Sequence, residues 1–107
     1  MARSVILDEV DYDPGFSDGS FSRLVTTEAG RHLGELVWSP VDQPRARSDI
    51  AYAAGWNVVG AYMDWSGRML RDTRPSRILG LRSERAALRA LLAQVDWNQR
   101  TNDRERA

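Results

Sequence analysis

The sequence predicts a small α+β domain: a mainly antiparallel sheet of hairpins, packed on one face by a C-terminal amphipathic helix. Three observations carry that prediction. Two alternating runs, Phe21–Glu28 and His32–Ser39, flank the turn-forming Ala29-Gly30-Arg31. The most apolar and aromatic stretch, Gly55–Leu70, has a second turn signal near its end, at Trp65-Ser66-Gly67. After Ser83, the residues Leu88, Leu91, Leu92 and Val95 recur at i, i+3, i+4 and i+7, the spacing of one helical stripe.

With 107 residues and no cysteine, the chain fits one domain and excludes disulfides and thiolate metal sites. Its 42% apolar fraction is ordinary for a globular protein. The expected domain covers residues 1–97, with a polar tail over 98–107 that frays. The opening MARSVILDEVDYD has only three consecutive apolar residues before charge resumes, unlike a signal peptide. Nothing approaches the ~20 apolar residues of a membrane span, so a cytoplasmic protein is expected. Net charge is zero, yet it is unevenly spread. Met1–Val37 carries seven acidic residues against three arginines (−4), and Trp38–Ala107 carries eight against twelve (+4). Every basic residue is arginine. A GC-rich coding sequence explains that blandly, whereas bidentate recognition of phosphate or carboxylate explains it functionally.

Taken in order, Ser4–Val10 reads as a first strand. DYDPGFSDGS, dense in Asp, Gly, Pro and Ser, reads as a loop. Asp11, Asp13 and Asp18 invite a calcium reading, but counting from Asp11 the sixth position is Phe16, where an EF-hand loop needs glycine. A solvated acidic loop is expected, with no metal or other cofactor. In the hairpin that follows, Phe21, Arg23, Val25 and Thr27 share one face, as do His32, Gly34, Leu36 and Trp38. Pro40 and Pro44 bracket a linker. Ser48 then caps a short helix over Asp49–Ala54, stopped by Gly55. In the central stretch Val59, Ala61, Met63 and Trp65 share an apolar face, Asp64–Arg68 forms a hairpin loop, and Arg68–Arg71 returns. The competing fold is mostly α-helical, with one helix from Asp49 to Arg71. Gly55, Gly60 and Gly67 oppose it at ~1 kcal/mol each. Pro75 interrupts RDTRPSRILGLR, where Arg68, Arg71, Arg74 and Arg77 fall every third residue, on one side of a polyproline-like extension. Ser83 caps the last helix, from Glu84 to about Asp96.

The tract AYAAGWNVVGAYMDWSG resembles the helix-to-strand segment of serine recombinase catalytic domains. That resemblance implies a serine nucleophile, carried in the family by Arg-Val-Ser after a first strand. Here the first strand leads into Asp-Glu-Val-Asp-Tyr-Asp, and the chain is not assigned to the family.

No motif fixes a reaction. His32 is the sole histidine, so a nucleophilic triad would have to be built on it with Ser39 or Ser66 and Asp64. No nucleophile elbow, phosphate loop or dinucleotide fingerprint surrounds them. The leading expectation is a non-enzymatic interaction protein that docks on a larger partner as a regulator or inhibitor. Small motif-poor chains of this kind are frequent among accessory genes of phages and mobile elements. Trp and Arg dominate binding hot spots, and the chain has four and fifteen of them. The candidate partner-binding residues are Asp8, Asp11, Asp13 and Asp18 in the acidic loop, with Trp56 and Tyr62. Core packing suits Trp38 and Trp65 better than Trp97. The alternative is nucleic-acid binding through Arg68, Arg71, Arg74, Arg77, Arg82, Arg85 and Arg89. Between positions 68 and 89 those seven arginines face only Asp72 and Glu84, a local charge of +5 beside aromatic groups able to stack on bases.

Overall fold

Five strands and one helix follow one another along the chain. They are β1 (Val5–Leu7), β2 (Phe21–Thr27), β3 (His32–Ser39), β4 (Gly55–Gly60), β5 (Ser76–Leu81) and α1 (Glu84–Arg106). This computed structural model describes residues 5–8, 19–42, 52–61, 63–69 and 76–106. Every strand pairs antiparallel with the next, so the sheet order β1-β2-β3-β4-β5 is the order of the sequence. The helix lies against β3, β4 and β5. The fold is therefore α+β, and the mostly helical alternative is overturned by the strand at Gly55–Gly60.

The β2–β3 hairpin closes through Gly30, whose N–H donates to the Thr27 carbonyl at 2.9 Å. Its register slips by one residue between Val25 and Thr26: Val25 pairs with Gly34 but Thr26 with His32. Leu33 is the extra residue. Cross-strand partners share a face, so the bulge places His32 on the side of Thr26, opposite Gly34. The expected alternation of His32 with Gly34, Leu36 and Trp38 breaks at that point, and Leu33 enters the core instead.

The core lies between sheet and helix and joins Val25, Leu33, Leu36, Val58, Ala61, Ala87, Leu91 and Val95. Val58, paired with Leu36 and Ile78, is the β4 residue in this core, not Val59. The expected run of Val59, Ala61, Met63 and Trp65 on one face fails for a backbone reason. Gly60 and Ala61 both adopt positive φ, 97° and 62°, which ends the strand and turns Ala61 inward beside Val58. Ala61 carries the left-handed strain of ~1–2 kcal/mol. Its N–H donates to Leu33 O at 3.0 Å, and its carbonyl accepts from Asn98 Nδ2 at 2.7 Å. Beyond it, the hairpin foreseen at Asp64–Arg68 is present, with a bridge between Met63 and Met69.

Three further expectations are corrected. Tyr52–Ala54 is not helical, and the rest of the short helix expected at 49–54 lies outside the described residues. Residues 76–81, read as part of an irregular segment after Pro75, form β5. They pair with β4 through a bulge organised by Asn57, which is fully buried. Asn57 Oδ1 accepts from Ala53 N at 3.0 Å and Gly80 N at 3.3 Å, while its Nδ2 donates to the carbonyls of Val37, Ala53 and Gly55. Gly80, at φ 73°, supplies the conformation such a bulge needs. Finally, α1 does not end near Asp96, and the stretch expected to fray is helical as far as Arg106. Ser83 caps it as foreseen, its Oγ accepting from Ala86 N at 3.0 Å.

Candidate interaction site

The buried side of α1 explains which of its residues remain for a partner. Ala87, Leu91 and Val95 lie in the core, and the same spacing continues through the buried Asn98 and Asn102. These two carboxamides meet the 61–69 hairpin. Asn98 Nδ2 donates to the carbonyls of Ala61 and Met63, the second at 3.1 Å, and Asn102 Nδ2 donates to Asp64 Oδ2 at 2.8 Å. Asp64 is the centre of this clasp and is 0% exposed. Its Oδ1 accepts from Ser66 N, Ser66 Oγ and Arg68 N at 2.9, 2.6 and 3.0 Å, the Asx-turn chemistry of a tight loop. Burial alone would push the Asp64 carboxyl up. The hydrogen bonds from the Asn102 and Ser66 side chains and from the Arg68 and Ser66 backbone outweigh it, and hold the group at about 2, below its ordinary 3.8.

Arg68 belongs to the same clasp. Its Nε lies 3.3 Å from Asp64 Oδ2, and its Nη2 bonds Asp103 Oδ1 at 3.1 Å. Trp65 Nε1 donates to Asp96 Oδ1 at 2.7 Å. The two acidic side chains in the middle and late turns of α1, Asp96 and Asp103, thus point their charge toward the hairpin. A second tie runs from Arg23, whose guanidinium bonds Glu84 Oε1 at 2.9 Å and the Asp8 carbonyl at 2.8 Å.

On the opposite side of the helix Arg85, Arg89, Ala93, Trp97, Arg100 and Arg104 are exposed. They follow at steps of three and four residues and so form one stripe. None of these four arginines has an ion-pair partner among the described residues. Trp97 is 48% exposed and opens onto a shallow groove of about 450 Å³ lined by Ile78, Ala90, Ala93, Gln94, Trp97 and Arg100. The groove runs between the helix and β5, the last strand of the sheet. A second cleft, of about 280 Å³, lies where β3 and β4 meet the 61–69 hairpin, and His32, Glu35, Val59, Met63 and Met69 contribute to its lining.

The sites expected from sequence are distributed as follows. Asp8 closes β1, its N–H donating to Leu24 O at 3.0 Å. Asp11, Asp13, Asp18, Tyr62, Arg71 and Arg74 lie outside the described residues, and Arg77 is on β5 opposite Val59. Trp56 packs against the core cluster, its ring edge-on to Phe21 at 5.6 Å. Arg82 is exposed just before α1, and Arg85 and Arg89 are exposed in its first turns. Ser39 Oγ donates to the Val41 carbonyl and Ser66 Oγ to Asp64 Oδ1. Among the described residues no group of three or more His, Asp or Glu is placed to hold a metal, and no helix is long and apolar enough to cross a membrane. Trp97 was noted in the sequence as less suited to core packing but was not named as a site residue, and Arg100 and Arg104 were not singled out, although their helical spacing from Arg89 and Ala93 was readable there.

No family model, curated protein or solved structure matches the chain.

Proposed function

We propose that the chain is a small non-enzymatic interaction protein that docks on a larger protein partner, as a regulator or inhibitor, through the exposed face of α1. One observation carries this reading: a half-exposed tryptophan sits in an apolar groove among arginines that have no ion-pair partner among the described residues. Burying Trp97 would remove a large apolar surface from water, and Trp with Arg is the pairing that dominates interface energetics. The same arginines and indole support a second reading, nucleic-acid binding by phosphate contact and base stacking. The apolar lining of the groove favours the protein partner.

Affinity capture from cells that express the protein separates the two. The bait is the wild-type chain, compared with a Trp97→Ala, Arg100→Glu variant that unfolds at the same urea concentration. A partner recovered by wild type, reduced about tenfold by the variant and unaffected by nuclease treatment is the expected result. Equal recovery by the variant refutes the assigned face. Loss on nuclease treatment transfers the arginine stripe to the nucleic-acid reading.

A further inference from the structure

We infer that the occupant of the groove is an extended, acidic–apolar peptide segment of the partner, which joins the sheet as a sixth strand along β5. The inference rests on the docking reading above and adds the partner's conformation and chemistry.

Four features converge on β5. It is the terminal strand of the sheet, with β4 on one side and no described strand on the other. A terminal strand presents a row of backbone donors and acceptors that an incoming strand can pair. The opposite terminal strand, β1, is only three residues long, whereas β5 has six. Shortness is a recognised protection of a sheet edge, and β5 lacks it.

Apolar surface is exposed on both faces of this one strand. Ile78 lines the groove with Trp97 on the helix side. Its neighbour Leu79 points to the opposite face, since successive side chains alternate, and is 43% exposed. A strand added ~4.8 Å beyond β5 would stand beside both. Its alternate side chains would enter the groove against Ile78, Ala93 and Trp97, and the intervening ones would cover Leu79. A helix laid in the groove would leave Leu79 bare and the β5 backbone unpaired.

Charge selects the sequence of that strand. Arg100 forms part of the groove wall, and Arg89 and Arg104 flank it on the same exposed stripe with no ion-pair partner among the described residues. A carboxylate on the incoming strand meets a planar, bidentate donor at low desolvation cost, while a lysine there meets like charge.

The test uses the full-length ¹⁵N-labelled chain and synthetic peptides about as long as the six-residue β5. One peptide carries aspartate at one of the alternate positions that face the helix and valine at all the others, and a second carries lysine at that position. A third is the first with alternate backbone nitrogens methylated, and a single-stranded oligonucleotide is the fourth probe. The expected result is binding of the valine–aspartate peptide, with slowed exchange of β5 amides and a shifted Trp97 indole resonance. Binding weakens about tenfold or more for the lysine and methylated peptides and for Trp97→Ala. Equal binding of the lysine or methylated peptide overturns the inference, as does protection elsewhere in the sheet or preferential binding of the oligonucleotide at this face. If capture of a protein partner depends on Trp97 but no strand peptide binds, docking stands and strand addition falls. If both experiments fail, both readings fall.

Discussion

Asp64 gathers four hydrogen bonds and an ion pair, and its protonation state matters to the whole hairpin. It takes hydrogen bonds from Ser66, Arg68 and Asn102 and faces the Arg68 guanidinium. Because its folded-state value is depressed, its charge stabilises the fold fully above the ordinary 3.8, and that contribution is lost as pH falls through about 2. Urea midpoints measured between about pH 5 and pH 2 should therefore fall with acid. Asp64→Asn should remove that part of the slope and cost at least ~2 kcal/mol at neutral pH, since Asn102 Nδ2 and the guanidinium lose a charged acceptor. An acid slope unchanged in the variant would place the titration elsewhere. None of this was legible in the sequence beyond the turn itself. An Asp three residues before a Gly marks a loop, but its partner Asn102 is remote along the chain and of a type that signals neither core nor helix.

Helix α1 shows how far periodicity carries an argument and where it stops. Leu88, Leu91, Leu92 and Val95 announced the helix, and Ser83 announced its start. The apolar stripe ends at Val95, so the reading ended there too. The helix continues because Asn98 and Asn102 hold the same inward positions by hydrogen bonding instead of apolar burial, which hydrophobic patterning does not detect. Arg100 and Arg104 were lost with those turns, and with them the setting of Trp97. Strand β5 escaped for a different reason: Pro75 and the arginine-rich approach disguised six residues whose pairing depends on a bulge nucleated by Asn57. The β2–β3 hairpin, by contrast, was legible from alternation and Gly30. Packing now distinguishes two leucines that the sequence treated alike. Leu91 is fully buried and Leu92 only partly so. Leu91→Ala should cost ~2–5 kcal/mol, and Leu92→Ala distinctly less, in matched urea titrations. Equal losses would contradict the orientation of α1.

At the scale of the whole molecule, zero net charge conceals a division of labour. The carboxylates of Asp64, Asp96 and Asp103 and that of Glu84 are spent on contacts within the fold, whereas Arg85, Arg89, Arg100 and Arg104 are left facing outward. Among the described residues, four arginines of the positive half thus line one side of the helix.

Because sheet order follows sequence order, one cut in the β3–β4 connection divides the protein into two contiguous parts that meet along a single strand pairing and the helix. Cleavage between Ala46 and Arg47 leaves eight acidic residues and four arginines in one piece, and seven acidic residues and eleven arginines in the other. The pieces carry −4 and +4 and should find each other when mixed, more weakly as salt rises. Recovery of the near-ultraviolet tryptophan signal on mixing at low salt would establish it, and two pieces that remain unfolded together would refute it. A meander with polarised charge is in this sense a two-component assembly written on one chain.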